Sequence, residues 1–233
     1  MNITKDKYPP PQLVKYIMEL ETKPFEPPNN NIYASELDGC IRKSWYRRKY
    51  QKPPSKKTAM YLRNGTWQHE NFQQAYTTKE QRFTLPVKIG CTIVARADAI
   101  NKDGELLEFK NVKNPYFINK KDEPNEWDKN RVLFYMWLGG YTVGHIYYFH
   151  AGPQEPNHYT ITLDDNNENN IIMQQLEKRY KELALELHNG INHDAPPYPS
   201  NKRSFDCEFC DYQKECIKQN NRGLLVEQTI HGD

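Results

Sequence analysis

From residue 82 to residue 112 the hydrophobic period is two, and this most narrows what the chain can fold into. "RFTLPVKI", "CTIVARADAI" and "ELLEFKNV" predict three consecutive strands. The last two meet at "INKDGE", where Asp103-Gly104 is a strong turn signal. A three-residue loop, Lys102-Asp103-Gly104, with Gly104 left-handed, pairs Asn101 with Glu105 and sets Asp98 across from Glu108. A two-residue loop, Asp103-Gly104, would put the two carboxylates on opposite faces.

Helical patterns flank these strands. Pro9 to Pro11 precede Leu13, Val14, Ile17, Met18 and Leu20 at helical spacing. A second helix is expected near "ASELDGCIRKSWYRRK" with Ser35 as N-cap, then a basic linker "QKPPSKK" and a third helix over "TAMYLRNGTWQHENFQQAYTT". A helix around Asn125 to Gly139 and two strands, "VGHIYYFHA" and "HYTITL", come after the hairpin. "NNIIMQQLEKRYKELALELHNG" carries Ile172, Leu176, Tyr180 and Leu187 on one stripe, with Gly190 as a stop. A Pro-rich link then leads to "FDCEFCDYQKEC". That order predicts an α/β (α+β) sheet domain with additions at both ends, and 233 residues suffice for one substantial core. The expected segments are 1–58 (helical and basic), 59–190 (core) and 191–233 (cysteine-rich), in a single domain.

Glu108 and Lys110 lie two apart and so share a strand face with Leu106 and Val112. Like charges directly opposite destabilise a sheet, and a divalent cation between Asp98 and Glu108 would reverse that interaction. Oxygen ligands of this kind suit Mg²⁺ or Mn²⁺. Lys110, one pleat along, could orient or deprotonate a bound water and stabilise charge on a phosphate. The plainer alternative is a wet face on which Arg96 and Lys110 neutralise the two acids. His69 in "GTWQHE" adds an imidazole just before the strands.

Net charge is only +2, but from Gly39 to Asn64 there is no acidic residue. Arg42, Lys43, Arg47, Arg48, Lys49, Lys52, Lys56, Lys57 and Arg63 alternate there with Trp45, Tyr46, Tyr50 and Tyr61. That pattern suits a polyanion. No apolar run reaches a membrane span and no signal-peptide core is present, so an intracellular, cytoplasmic protein with reduced thiols is expected. Cys207 and Cys210 have C-x2-C spacing with Cys216 following, and Cys40 or Cys91 must supply a fourth ligand. Cys40, in the basic helix, is the better candidate. Zinc and an iron–sulfur cluster both fit four thiolates.

Together, "GTWQHE", the Asp of "RADA", "EFK", a later Tyr helix and the split cysteines resemble the PD-(D/E)XK nucleases of the RecB type. More narrowly they resemble the CRISPR-associated RecB-like exonucleases (the fourth Cas protein) and their viral relatives. The resemblance implies a restriction-endonuclease-like core, a mixed central sheet flanked by helices, with the chain ends joined by a [4Fe–4S] cluster on Cys40, Cys207, Cys210 and Cys216. It implies His69, Asp98, Glu108 and the Phe109 carbonyl as ligands of Mn²⁺ or Mg²⁺, and Lys110 as the catalytic lysine. Tyr135 falls in the Gln-x-x-x-Tyr position, with Arg131 where Gln would stand. DNA, cleaved from single-stranded ends, is the implied substrate, with Arg42, Lys43, Arg47, Arg48 and Arg131 as contacts. The implied partners are CRISPR adaptation or viral recombination proteins, with no membrane. A nuclease-fold DNA-binding or assembly subunit without turnover is the competing expectation.

Overall fold

β3 (Cys91–Ile100) is the spine of the molecule, being covered along nearly its whole length. Its Ala95, Ala97 and Ala99 are small enough to let neighbouring elements approach closely. This computed structural model describes residues 30–38, 40–87, 90–112, 123–150, 155–163, 167–190, 207 and 210–218. The expected helix over Leu13 to Leu20 and the Pro-rich link lie outside those residues.

Along one edge of β3 runs β2 (Thr78–Val87), antiparallel from Val87↔Cys91 to Thr78↔Ile100. The other edge is shared. β1 (Asn31–Tyr33) pairs in parallel with Thr92 to Val94, and β4 (Leu106–Val112) pairs antiparallel with Ala99 and Ile100. β5 (Val143–His150) follows β4 in parallel, and β6 (Asn157–Thr162) closes the sheet antiparallel to β5. The sheet is therefore mixed and six-stranded. The β3–β4 hairpin has the three-residue loop: Gly104 has φ +80°, and the Asn101 N–H donates to the Glu105 carbonyl at 3.0 Å.

The "ASELDGCIRKSWYRRK" helix is broken in two. A four-residue turn, α1 (Ala34–Leu37), is capped by Tyr33, so Ser35 lies inside it, and α2 (Ile41–Tyr50) starts afresh. The break follows from side chains pulling in different directions. Glu36 accepts the Tyr33 N–H at 2.9 Å and is gripped by Arg48 of α2, while Asp38 is drawn towards the later helices. α3 (Lys56–Gln73) begins at Ser55, whose hydroxyl accepts the Thr58 N–H, and stops five residues short of the expected Thr78, which β2 takes as its first residue. α4 (Glu126–Gly139) is capped by Asn125 and closed by Gly140 at φ +71°.

In α5 (Asn167–Gly190) the buried stripe is Met173, Leu176, Tyr180, Ala184 and Leu187, while Ile172 is 38% exposed. Met173 thus takes the place expected of Ile172. Phe134 of α4 stacks on Tyr180 of α5 at 4.0 Å, and both belong to the main core with Leu106, Ile146 and Tyr148. A Cβ on Gly144 would lie 2.6 Å from Met136 Sδ and 2.9 Å from Val132 Cγ1, so β5 carries glycine where α4 crosses it. A second, smaller cluster joins Ala99, Leu107 and Phe109 to Phe72 of α3 and to Tyr76. Among the described residues no helix is long and apolar enough to cross a membrane.

Candidate active site

Strict alternation would keep Ala97 and Ala99 on one face. Instead Ala97 joins the main core with Ile93 and Ala95, whereas Ala99 joins the second cluster with Leu107 and Phe109. The strand changes phase at Asp98. Across from it on β2, Glu80 drops out of the ladder with φ +49°, a left-handed conformation that costs a non-glycine residue roughly 1–3 kcal/mol.

Asp98 consequently sits in a seam. Between Val94, the last residue paired with β1, and Ala99, the first paired with β4, that edge of β3 has no strand partner among the described residues. The carboxylate fills the opening: Oδ2 accepts the Phe109 N–H at 2.7 Å, and Oδ1 is 3.1 Å from His69 Nδ1. Gln73, one turn beyond His69 on α3, donates its amide to the Asp98 carbonyl at 3.0 Å. The expected hairpin register holds to Ala99↔Leu107, where the ladder ends and Asp98 turns into the gap.

Glu108 is 4% exposed, and its Oε1 is contacted by Lys110 with Arg131 Nη1 at 3.6 Å. Its Oε2 is buried with no hydrogen-bond partner among the described residues. Burial first, and the Asp98 charge second, push the Glu108 carboxyl upward, against the pull of Lys110 and Arg131. His69 is also raised, chiefly by its hydrogen bond to Asp98. The buried phenol of Tyr135 is pushed well above its ordinary value by burial and then by Glu108. Among the described residues, no three His, Cys, Asp or Glu side chains already close around a single ion. The donors are instead turned onto one another, with one carboxylate oxygen left over. A buried, unpartnered carboxylate oxygen beside a second carboxylate fits a hard divalent cation.

Not every basic residue expected at a DNA surface reaches one. Arg48 is buried, with Nε donating to Glu36 at 2.9 Å and Nη2 to the Asn31 carbonyl at 2.9 Å. Arg42 is buried over the Tyr46 ring. Arg131 is directed inward, its Nε bonded to Asp38, which also accepts the Tyr180 hydroxyl. Arg48 and Arg131 are drawn into ion pairs with Glu36 and Asp38, whereas Arg42 is buried against the aromatic packing of α2. Lys43 and Arg47 remain exposed. Asp38, Gln73 and Asp128 were not anticipated. Asp128 lies 3.7 Å from Lys110, and its place one turn before Arg131 on α4 was the available signal.

Two cysteines of the split set have shifted thiols. Cys210 and Cys216 are raised first by burial, and both feel Cys40 and Cys207. The Cys210 N–H donates to the Cys207 carbonyl at 3.2 Å, closing the C-x2-C turn. Cys91 is buried at the start of β3.

Solved structures that share the fold include the following two. The protein titled SSO0001 aligns at a TM-score of 0.59 and 20% identity, over 86% of this chain and 92% of that one. An alkaline exonuclease (LHK-Exo) from Laribacter hongkongensis aligns at 0.50 and 14% identity, over 76% and 94%. No curated protein matches the sequence. The model of the PD-(D/E)XK nuclease superfamily matches residues 12–217, nearly the full length, and the chain therefore belongs to that superfamily.

Proposed function

We propose that this chain is a divalent-metal-dependent deoxyribonuclease that degrades DNA from single-stranded ends. One observation carries the reading: Asp98, in the β3–β4 seam, lies beside the buried Glu108 with its unpartnered oxygen, and Lys110 contacts Glu108. His69, Asp98, Glu108 and the Phe109 carbonyl would hold Mn²⁺ or Mg²⁺. When bound, such an ion supplies Lewis acidity toward a phosphate and lowers the pKa of a water.

The chain's own groups do the rest. Lys110 presents an ammonium that orients the attacking water and counters charge developing on the phosphate. Arg131, anchored on Asp38, offsets the Glu108 charge and favours its ionised form. The Tyr135 phenol is protonated at neutral pH, and burial pushes it further that way, so it can act only as a hydrogen-bond donor or acceptor. Lys43 and Arg47, exposed on α2, suit the phosphate backbone.

Cys40, Cys207, Cys210 and Cys216 would carry a [4Fe–4S] cluster. Burial raises the Cys210 and Cys216 thiols, and both feel Cys40 and Cys207, which supports one shared site for the four; zinc would use the same thiolates. The setting implied by the resemblance is CRISPR adaptation or viral DNA processing. A second reading, a DNA-binding or assembly subunit without turnover, rests on the buried commitment of Arg131 to Asp38 where the family commonly has Gln.

The test is degradation of end-labelled single-stranded and duplex DNA with Mn²⁺ by wild type and Lys110→Ala. Metal-dependent degradation lost in Lys110→Ala supports the enzyme. DNA binding without turnover in either protein supports the second reading instead.

A further inference from the structure

We propose that Asp128 is a second seat for the Lys110 ammonium, receiving it from Glu108 when a divalent cation occupies the seam. The inference rests on the nuclease reading and assigns a positioning residue to it. Lys110 Nζ contacts Glu108 on its own strand and lies 3.7 Å from Asp128 Oδ1 on α4.

The Asp128 carboxylate is held from two elements. Its Oδ2 accepts the hydroxyl of Tyr148, a buried residue of β5, at 2.9 Å. That same hydroxyl accepts the Asn125 N–H at 3.0 Å, at the cap of α4. With Oδ2 so engaged, Oδ1 is turned toward Lys110.

A cation binding Glu108 and the Lys110 ammonium compete for one carboxylate. The other cation near Glu108 is Arg131, at 3.6 Å, and its Nε is fixed on Asp38. Lys110, at the end of a flexible stem, is the group that can yield. Among the described residues Lys110 pairs with Glu108 and Asp128, so without Asp128 its ammonium would stay on Glu108 and oppose the metal. With Asp128 it can leave Glu108 and stay in the site, where a phosphate would meet it.

Mn²⁺ binding by the full chain without DNA tests this, read by electron paramagnetic resonance of the free ion. The proteins are wild type, Asp128→Asn, Lys110→Met and the double variant. Asp128→Asn should weaken binding roughly five- to tenfold, and in the Lys110→Met background by less than about twofold. Equal loss in both backgrounds, or no loss, overturns the proposal, because the effect then does not pass through Lys110. Should Asp128→Asn fail to fold, Tyr148→Phe takes its place in the cycle. It keeps the charge, removes the clasp and should weaken Mn²⁺ in the same Lys110-dependent way. A wild type that binds no Mn²⁺ overturns both this proposal and the nuclease reading, whereas coupled Mn²⁺ binding without DNA cleavage overturns the nuclease reading alone.

Discussion

The Asp98 carboxylate accepts the backbone N–H of Phe109 at 2.7 Å, standing in for a strand partner where the β3–β4 ladder stops. One side chain thereby serves the sheet and the candidate metal site together. Asp98→Ala should leave that N–H unpaired and cost about 1–3 kcal/mol in urea denaturation. Asp98→Asn, which retains an acceptor oxygen, should recover most of the stability while still losing Mn²⁺ binding.

The Arg48–Glu36 pair is buried and joins α2 to the turn before it. Removing one partner strands a charge, so Glu36→Ala should destabilise by about 3–5 kcal/mol. Exposed Lys43 and Arg47 should behave in the opposite way. Their alanine variants should melt like wild type but bind single-stranded DNA more weakly, each with a shallower salt dependence.

Gly144 faces α4 so closely that a Cβ would lie 2.6 Å from Met136 Sδ and 2.9 Å from Val132 Cγ1. Gly144→Ala should therefore cost about 1–3 kcal/mol in thermal or urea melts. Because α4 also carries Asp128, Arg131 and Tyr135, the same variant should reduce Mn²⁺-dependent turnover more than its melting temperature alone would suggest.

Much of this was legible in the sequence. The period-two stretches, the Asp-Gly turn and the helix from about Asn125 to Gly139 are local signals, and the structure follows them because local and tertiary preferences agree there. The hairpin was legible for the same reason, and its register holds as far as Ala99↔Leu107, next to Asp98 and Glu108. Phase was not legible. The change at Asp98 depends on β1 and β4 sharing one edge of β3, a long-range arrangement that no window of residues reveals. The basic stretch misled at Arg42 and Arg48 because charge reads as surface until a buried partner is seen. Asp38 escaped because its partners, Arg131 and Tyr180, lie far along the chain.

A histidine pair on the sheet gives a pH signature. His145 Nδ1 lies 3.0 Å from His158 Nε2, and His145 Nε2 lies 2.8 Å from Glu105 Oε2. His158 is lowered by burial and then by His145. The unfolded chain therefore takes up that proton more readily, and stability should begin to fall as pH drops below about 6.5. Glu105 is lowered, first by His145 and then by Asn101. Its contribution is present above its ordinary carboxylate value and should be lost only as pH falls through its lower folded value. His158→Gln should remove the earlier loss in urea melts across pH and leave the more acidic one.

The cysteines make a separate claim on stability. A cluster bridging Cys40 to Cys207 would close a long loop, with a length-dependent entropy of roughly 4–5 kcal/mol. Anaerobically purified protein should contain iron and sulfide, and Cys40→Ala should lower its melting temperature as well as its iron content. A colourless protein holding one zinc and no iron would replace the cluster with a zinc staple.

The central claim, that the buried carboxylate in the β3–β4 seam belongs to a metal-dependent nuclease, is tested most directly by Glu108→Gln. The measurement is single-turnover cleavage of single-stranded DNA over a Mn²⁺ titration, with DNA binding followed on the same samples. Wild type should cleave in proportion to bound Mn²⁺, and Glu108→Gln should bind DNA within about twofold of wild type while cleaving at least ~100-fold more slowly. Cleavage by Glu108→Gln at the wild-type rate and Mn²⁺ dependence would contradict the account.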